Sequence, residues 1–256
     1  MIAYLTGSGF YDLPEFEPIE RETRFGTAWL LRGKVNGVET LLLPRHGPQH
    51  RYLPHQINHR ANLLALKEAG ATAVVSCSVC GILNPDWPLA TPLLATDLYF
   101  PENRLGDGQC CTVFDRPGEP GRGHLLAGSL FHTKLSQAVR AAMDGHDPQT
   151  QSGTYAHVSG PRFNTVSEIK ALRTAGVDFL SQTCGPEAVL ANELELPYAL
   201  AAFGIDYANG VQNMPTPIEV LNNNLAAAKE TFVRLIQTLR EPTEGFTFEN
   251  FVYRFE

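Results

Sequence analysis

The sequence predicts an α/β fold around a largely parallel sheet. Two observations carry this. Apolar runs of strand length alternate with helical patterns from about residue 55 onward. The helical segments are bounded by recognisable start and stop residues. With 256 residues, 43% hydrophobic content and neither an internal repeat nor a linker, the chain reads as one domain over 1–256.

In chain order, Ile2 to Leu5 open a strand over 2–6, followed at once by Thr6-Gly7-Ser8-Gly9. Strands over 27–32 and 38–43 flank Asn36-Gly37, a hairpin signal. Ile57, Ala61, Leu64 and Ala65 share one face of a helix over 55–69, which Gly70 can stop. A strand over 72–79 follows. Residues 101–123 hold Pro101, Pro117, Pro120 and five glycines, a long irregular loop. A weaker helical pattern covers 131–143, and a strand is expected over 154–158. Thr165-Val166-Ser167-Glu168 is a capping box, opening a helix that Gly176 ends. A strand over 177–181, a helix from Pro186 to about Leu194 and a strand over 198–205 follow. Thr216-Pro217-Ile218-Glu219 then combines an N-cap, a first-turn proline and Glu at N3. The helix it opens carries Ile218, Leu221, Leu225, Phe232, Leu235 and Leu239 on one face.

The formal net charge is −7 and no Lys/Arg run stands out, which argues against a nucleic-acid partner. No apolar stretch reaches membrane-spanning length, and Met1-Ile2-Ala3-Tyr4 has no basic n-region. Five cysteines, an odd count, read as a reduced cytoplasmic protein. Cys77-Ser78-Val79-Cys80 is formally a C-x-x-C, but it ends an apolar run and has no second pair, so packing is favoured over redox or zinc chemistry. His46, His50, His55 and His59 have H-x-x-x-H spacings. No carboxylate lies between them, and Pro48 and Pro54 break the helix they would need, so no metal is expected. Gly7-Ser8-Gly9 lacks the G-x-S-x-G pattern of a serine nucleophile.

Four apolar runs end in polar clusters: Gly7-Ser8-Gly9, Arg45-His46, Ser78-Val79-Cys80-Gly81 and Ser181-Gln182-Thr183. Ligands of open α/β sheets gather at the carboxyl ends of strands, so the four could converge on one ligand. Each Ser or Thr alone could equally cap a turn. Arg45 with His46, directly after the run Leu41-Leu42-Leu43, points to an anion. Asp206 follows Leu200-Ala201-Ala202-Phe203 and is costly there unless paired or used; capping a loop N–H is the alternative.

Ordered along the chain stand Thr6-Gly7-Ser8-Gly9, Pro44-Arg45-His46-Gly47 with His50, and Pro54-His55-Gln56-Ile57-Asn58-His59-Arg60-Ala61-Asn62. After them come Ala69-Gly70, Cys80-Gly81, Gly160-Pro161-Arg162-Phe163, Pro186-Glu187 and Asp206-Tyr207. This set resembles the trimeric purine nucleoside phosphorylases, nearest their methylthioadenosine and methylthioinosine phosphorylase branch. The resemblance implies a three-layer αβα fold with a central mixed, partly parallel twisted sheet. It implies phosphate binding by Ser8, Arg45, His46, Ser78, the Val79 backbone and Thr183. Phe163 would pack on the purine, with Asn164, Gln182 and Ala208 beside the substrate. Asp206 would be the general acid at N7, and His46 would assist catalysis. His124 would reach a neighbour's site in a homotrimer. No cofactor is implied; inorganic phosphate is the co-substrate.

Three positions depart from the family pattern. Gln182 stands where Met is usual beside the ribose, Ala208 where methylthioadenosine phosphorylases carry a second Asp, and Asn164 where Ser or Glu is usual. The resemblance therefore implies 5′-methylthioadenosine phosphorolysis, with methylthioinosine or another 6-oxopurine nucleoside as the alternative. A catalytically weak paralogue that binds an aromatic ligand and a hydrolase using water are disfavoured, because neither needs the retained Arg45, His46 and Thr183.

Overall fold

A computed structural model describes residues 1–7, 16–144 and 150–255. Strands β1 (Ile2–Thr6), β2 (Phe16–Thr23), β3 (Gly26–Val35) and β4 (Val38–Pro44) come first, then helix α1 (His59–Glu68). Strands β5 (Ala73–Ile82), β6 (Thr91–Tyr99) and β7 (Gly123–Leu126) precede α2 (Thr133–Asp144). There follow β8 (Gln151–His157), α3 (Val166–Thr174), β9 (Phe179–Ser181), α4 (Cys184–Glu193), β10 (Tyr198–Tyr207), α5 (Ile218–Thr238) and β11 (Phe251–Arg254).

The main sheet runs β10-β6-β8-β9-β5-β1-β4-β3-β2, and β10 also pairs with β5. Strands β5, β10, β6, β8 and β9 therefore close on themselves, while β1 to β4 extend from β5 as an open wing. The sheet is mixed rather than largely parallel. Strand β1 is parallel to β4 and β5, and β10 is parallel to β5. The β2-β3-β4 meander and the β10–β6 and β5–β9 pairs are antiparallel. Asn36 and Gly37 turn the β3–β4 hairpin with φ of 50° and 80°, as that dipeptide predicts.

Alternation along β1 explains the layers. Ala3 and Leu5 enter a core shared with Leu63 and Leu66 of α1 and Ala188 and Leu190 of α4. Ile2 and Tyr4 enter the opposite core, with Leu135, Val139 and Met143 of α2 and Phe232 and Leu235 of α5. Helices thus cover both faces of the sheet, the three-layer αβα arrangement.

Several boundaries differ from the sequence reading. Strands β2, β6, β7 and β11 have no expected counterpart. Strand β2 is an edge strand, mostly exposed and rich in Glu with Pro18 inside, so it carries no apolar alternation. Helix α1 begins at His59, because Pro54–Gln56 form a separate 3-10 turn. Helix α4 begins at Cys184, two residues before Pro186. Helix α5 is capped at Pro217 without a side-chain bond, not by Thr216. Only part of its apolar face is buried: Ile218 and Leu225 remain 67% and 40% exposed. The Thr165–Glu168 capping box is present as expected.

The 101–123 segment is fastened by side chains. Glu193 accepts from the Thr112 hydroxyl at 2.9 Å and from Val113 N at 2.6 Å, while Arg24 reaches Val113 O and Glu119 at 2.5 Å each. Arg60 donates to Gln109 at 2.5 Å.

Candidate active site

The polar strand ends converge. Gly7 after β1, Arg45 and His46 after β4, Ser78, Val79 and Gly81 on β5, and Ser181, Gln182 and Thr183 at the end of β9 line one cavity of about 480 Å³. Asp206, Ala208 and Asn209 at the end of β10 line it too, with Phe163 and Asn164 from the loop before α3. Leu221, Leu225, Ala228 and Phe232 of α5 supply an apolar wall. That wall accounts for the exposure of Leu225, which faces the cavity instead of the core; Ile218, at the helix start, does not line it. Ser8 lies outside the described residues. His124 does not line the cavity of its own chain. It sits on β7 opposite Tyr253, with its ring edge-on to Phe255 at 5.2 Å.

Arg45 is almost fully buried, and its hydrogen bonds define the floor. Nε donates to Glu187 Oε1 at 2.6 Å and Nη2 to Glu187 Oε2 at 3.3 Å. Nη1 donates to Cys77 O at 2.8 Å and Nη2 to Leu5 O at 2.9 Å. A guanidinium has five N–H donors, so among the described residues these bonds leave one hydrogen on Nη1 for a ligand. Gly7 passes close by; a Cβ there would stand 3.4 Å from Nη1. Burial alone would lower the Arg45 pKa, but the Glu187 carboxylate overrides it and holds the guanidinium firmly charged. Glu187 is fully buried and also accepts from the Ser76 hydroxyl at 2.6 Å. The sequence reading gave Glu187 no role beyond the shared Pro-Glu pair. A carboxylate in the first turn of a helix ordinarily reads as a partner of the helix dipole, and nothing local marks it as buried.

His46 Nδ1 lies 2.9 Å from Tyr52 O. A carbonyl only accepts, so Nδ1 carries the proton and the neutral ring leaves Nε2 as an acceptor. Burial and then the Arg45 charge push the His46 pKa down to about 4, so the ring is neutral at pH 7. Its ring stacks on His50 with centroids 4.3 Å apart. Two histidines behind it are also held neutral. Burial, then Arg45, takes His59 down to about 3, and burial, then His59, takes His157 to about 3.

Thr183 stands at the N-cap of α4 without capping it; its buried hydroxyl lies 3.4 Å from Cys184 Sγ, and the residue lines the cavity beside the helix N-terminus. Ser78 Oγ donates to Ser181 Oγ at 3.2 Å, and Ser181 Oγ is 2.8 Å from the Tyr155 hydroxyl. One cation, three hydroxyls and a helix N-terminus thus surround one end of the cavity, a setting for an oxyanion. Cys77 and Cys80 are buried β5 residues, and burial pushes the Cys77 thiol up to about 12. That suits packing and not redox chemistry.

At the other end, Asp206 follows a register shift in β10 and its Oδ1 accepts from the Thr216 hydroxyl at 2.5 Å. Phe163 leaves 81% of its surface open at the mouth. Gln182 lines the cavity, and its Nε2 donates to Arg162 O at 3.0 Å. A Cβ at Gly160 would fall 2.2 Å from Gln182 Oε1, so a larger residue there would displace the Gln182 head. Asn209 Nδ2 donates to Asn164 O at 2.7 Å, tying two lining segments together. Ala208 contributes no polar group.

The profile of the phosphorylase superfamily matches residues 2–240. The chain is 33% identical over 258 residues to S-methyl-5'-thioadenosine phosphorylase of Saccharolobus solfataricus, spanning 95% of this chain and 92% of that one. It is 33% identical over 243 residues to 6-oxopurine nucleoside phosphorylase of Pyrococcus furiosus, spanning 92% and 90%. The solved structure of a methylthioadenosine phosphorylase sourced from an antarctic soil metagenomic library superposes with a TM-score of 0.81 at 25% identity, covering 92% of this chain and 83% of that one. With its mixed sheet, its converging strand ends and these relatives, the chain belongs to the phosphorylase superfamily and is an enzyme of the pentosyltransferase class.

Proposed function

We propose that the protein cleaves 5′-methylthioadenosine with inorganic phosphate, giving adenine and 5-methylthioribose 1-phosphate. The observation that carries this reading is a single cavity with an oxyanion setting at one end, a carboxylate at the other and an apolar wall along α5. Phosphate would lie against the free N–H of Arg45, the hydroxyls of Ser78 and Thr183 and the Val79 backbone, with Ser8 added by the resemblance. His46 Nε2 would accept a hydrogen bond from monohydrogen phosphate or from a ribose hydroxyl. Held there, phosphate attacks C1′ with little loss of positioning entropy. Its charge stabilises the developing sugar cation. Asp206, as general acid at N7, would neutralise charge on the departing base. Phe163 would stack on that base, and Leu221, Leu225 and Phe232 would suit an apolar 5′ group.

Gln182 is compatible with this reading because its amide nitrogen is already engaged by Arg162 O. The active form is proposed to be a homotrimer in which His124 serves a neighbouring copy.

A second reading, phosphorolysis of methylthioinosine or another 6-oxopurine nucleoside, is favoured by Ala208 and Asn209. The first offers no second carboxylate, and the amide of the second is committed to Asn164. The relative from Pyrococcus furiosus bears a 6-oxopurine name. Comparing kcat/KM for methylthioadenosine and methylthioinosine at saturating phosphate decides between the two. A preference of about tenfold or more for the 6-amino nucleoside is expected, since a mismatched buried polar pair costs at least that much; the reverse preference would establish the second reading.

A further inference from the structure

Thr216 has the sequence setting of an N-cap, followed by Pro217 and, at N3, Glu219, yet it does not cap α5. The helix starts at Ile218 with no side-chain cap bond, and the Thr216 hydroxyl donates instead to Asp206 Oδ1 at 2.5 Å. A residue that abandons its local role beside a site signals a functional demand. Thr216 itself is outside the cavity lining, so it acts through Asp206.

We infer that Thr216 is a positioning residue for base recognition: it fixes the Asp206 carboxylate as an acceptor and so sets the preference for a 6-aminopurine over a 6-oxopurine. The inference rests on the proposed reading of Asp206 as the base-facing group. The register shift between Gly204 and Asp206 aims the side chain into the cavity. The Thr216 bond is the one hydrogen bond that the described residues give this carboxylate. A hydroxyl that donates to Oδ1 engages an unprotonated oxygen and pins the plane of the group. Oδ2 is left to carry the proton for N7, and the second lone pair of Oδ1 faces the exocyclic group as an acceptor. An exocyclic amino group meets it with a donor, whereas a 6-oxo group meets it with a second acceptor and leaves both unpaired.

The test is steady-state kinetics of Thr216→Val and Thr216→Ser with methylthioadenosine and methylthioinosine, alongside thermal melting. For Thr216→Val, the 6-amino to 6-oxo ratio of kcat/KM is expected to fall about tenfold or more, because the carboxyl is no longer held to match the exocyclic group. The KM for phosphate and the melting temperature should stay at wild-type values, and Thr216→Ser should restore the ratio. Thr216→Ala, which removes the hydroxyl without adding bulk, gives the same readout if the valine variant folds poorly. A wild-type protein that prefers methylthioadenosine, with a valine variant of unchanged ratio, would overturn the inference alone. Equal losses on both nucleosides with a lowered melting temperature would also overturn it, making Thr216 merely structural. A wild-type preference for methylthioinosine would overturn the substrate reading and this inference with it.

Discussion

Glu187→Ala is expected to destabilise the protein by about 3–5 kcal/mol, the usual cost of stripping one partner from a buried ion pair. Arg45 and Glu187 are both almost wholly removed from water and meet at 2.6 Å. Removing the carboxylate strands a guanidinium that burial already disfavours and leaves the Ser76 hydroxyl without its acceptor. For a chain of this size the loss corresponds to a melting temperature lower by roughly 6–20 °C. The reverse single change, Arg45→Met, strands the carboxylate and should cost a similar amount. The double variant Arg45→Met with Glu187→Leu removes both charges. It should be more stable than either single variant, because neither buried charge is left alone. Thermal melts of the four proteins check this. A Glu187→Ala variant within about 1 kcal/mol of wild type would mean that the pair is not the strut described.

Asp206→Asn is expected to lower kcat/KM for methylthioadenosine by about 10²–10³, within the range of a lost general acid. The amide cannot supply a carboxylic proton to N7, and it offers its own donor toward the exocyclic position. Activity on methylthioinosine should fall far less, so the preference narrows or reverses. Stability should hardly change, because Asp206 is only half-buried and Asn keeps an acceptor for the Thr216 hydroxyl. Parallel assays of both nucleosides provide the check. Wild-type activity of the variant on methylthioadenosine would remove Asp206 from the chemistry.

Much of the fold was legible where burial follows chain-local pattern. The β1 and β5 runs, the Asn36-Gly37 hairpin and the Thr165–Glu168 box announce themselves because each rests on contacts within a few residues. Strands β2 and β6 did not: an exposed edge rich in Glu and a run interrupted by Pro92 lack the alternation that identifies a strand. The closure of β10 onto β5 lies beyond any local signal, since it joins residues far apart in sequence. At the site, the lining positions of Arg45, Ser78, Thr183 and Asp206 followed from polar residues at the ends of apolar runs. Glu187 and Thr216 escaped because each mimics an ordinary helix-start residue. Their partners, Arg45 and Asp206, are brought to them only by the tertiary fold.

The most direct test of the central claim is adenine release from 5′-methylthioadenosine measured with and without inorganic phosphate. Release that requires phosphate and yields an equimolar sugar 1-phosphate is the predicted result. Adenine released at the same rate without phosphate would make the protein a hydrolase and contradict the account of the Arg45, Ser78 and Thr183 end of the cavity.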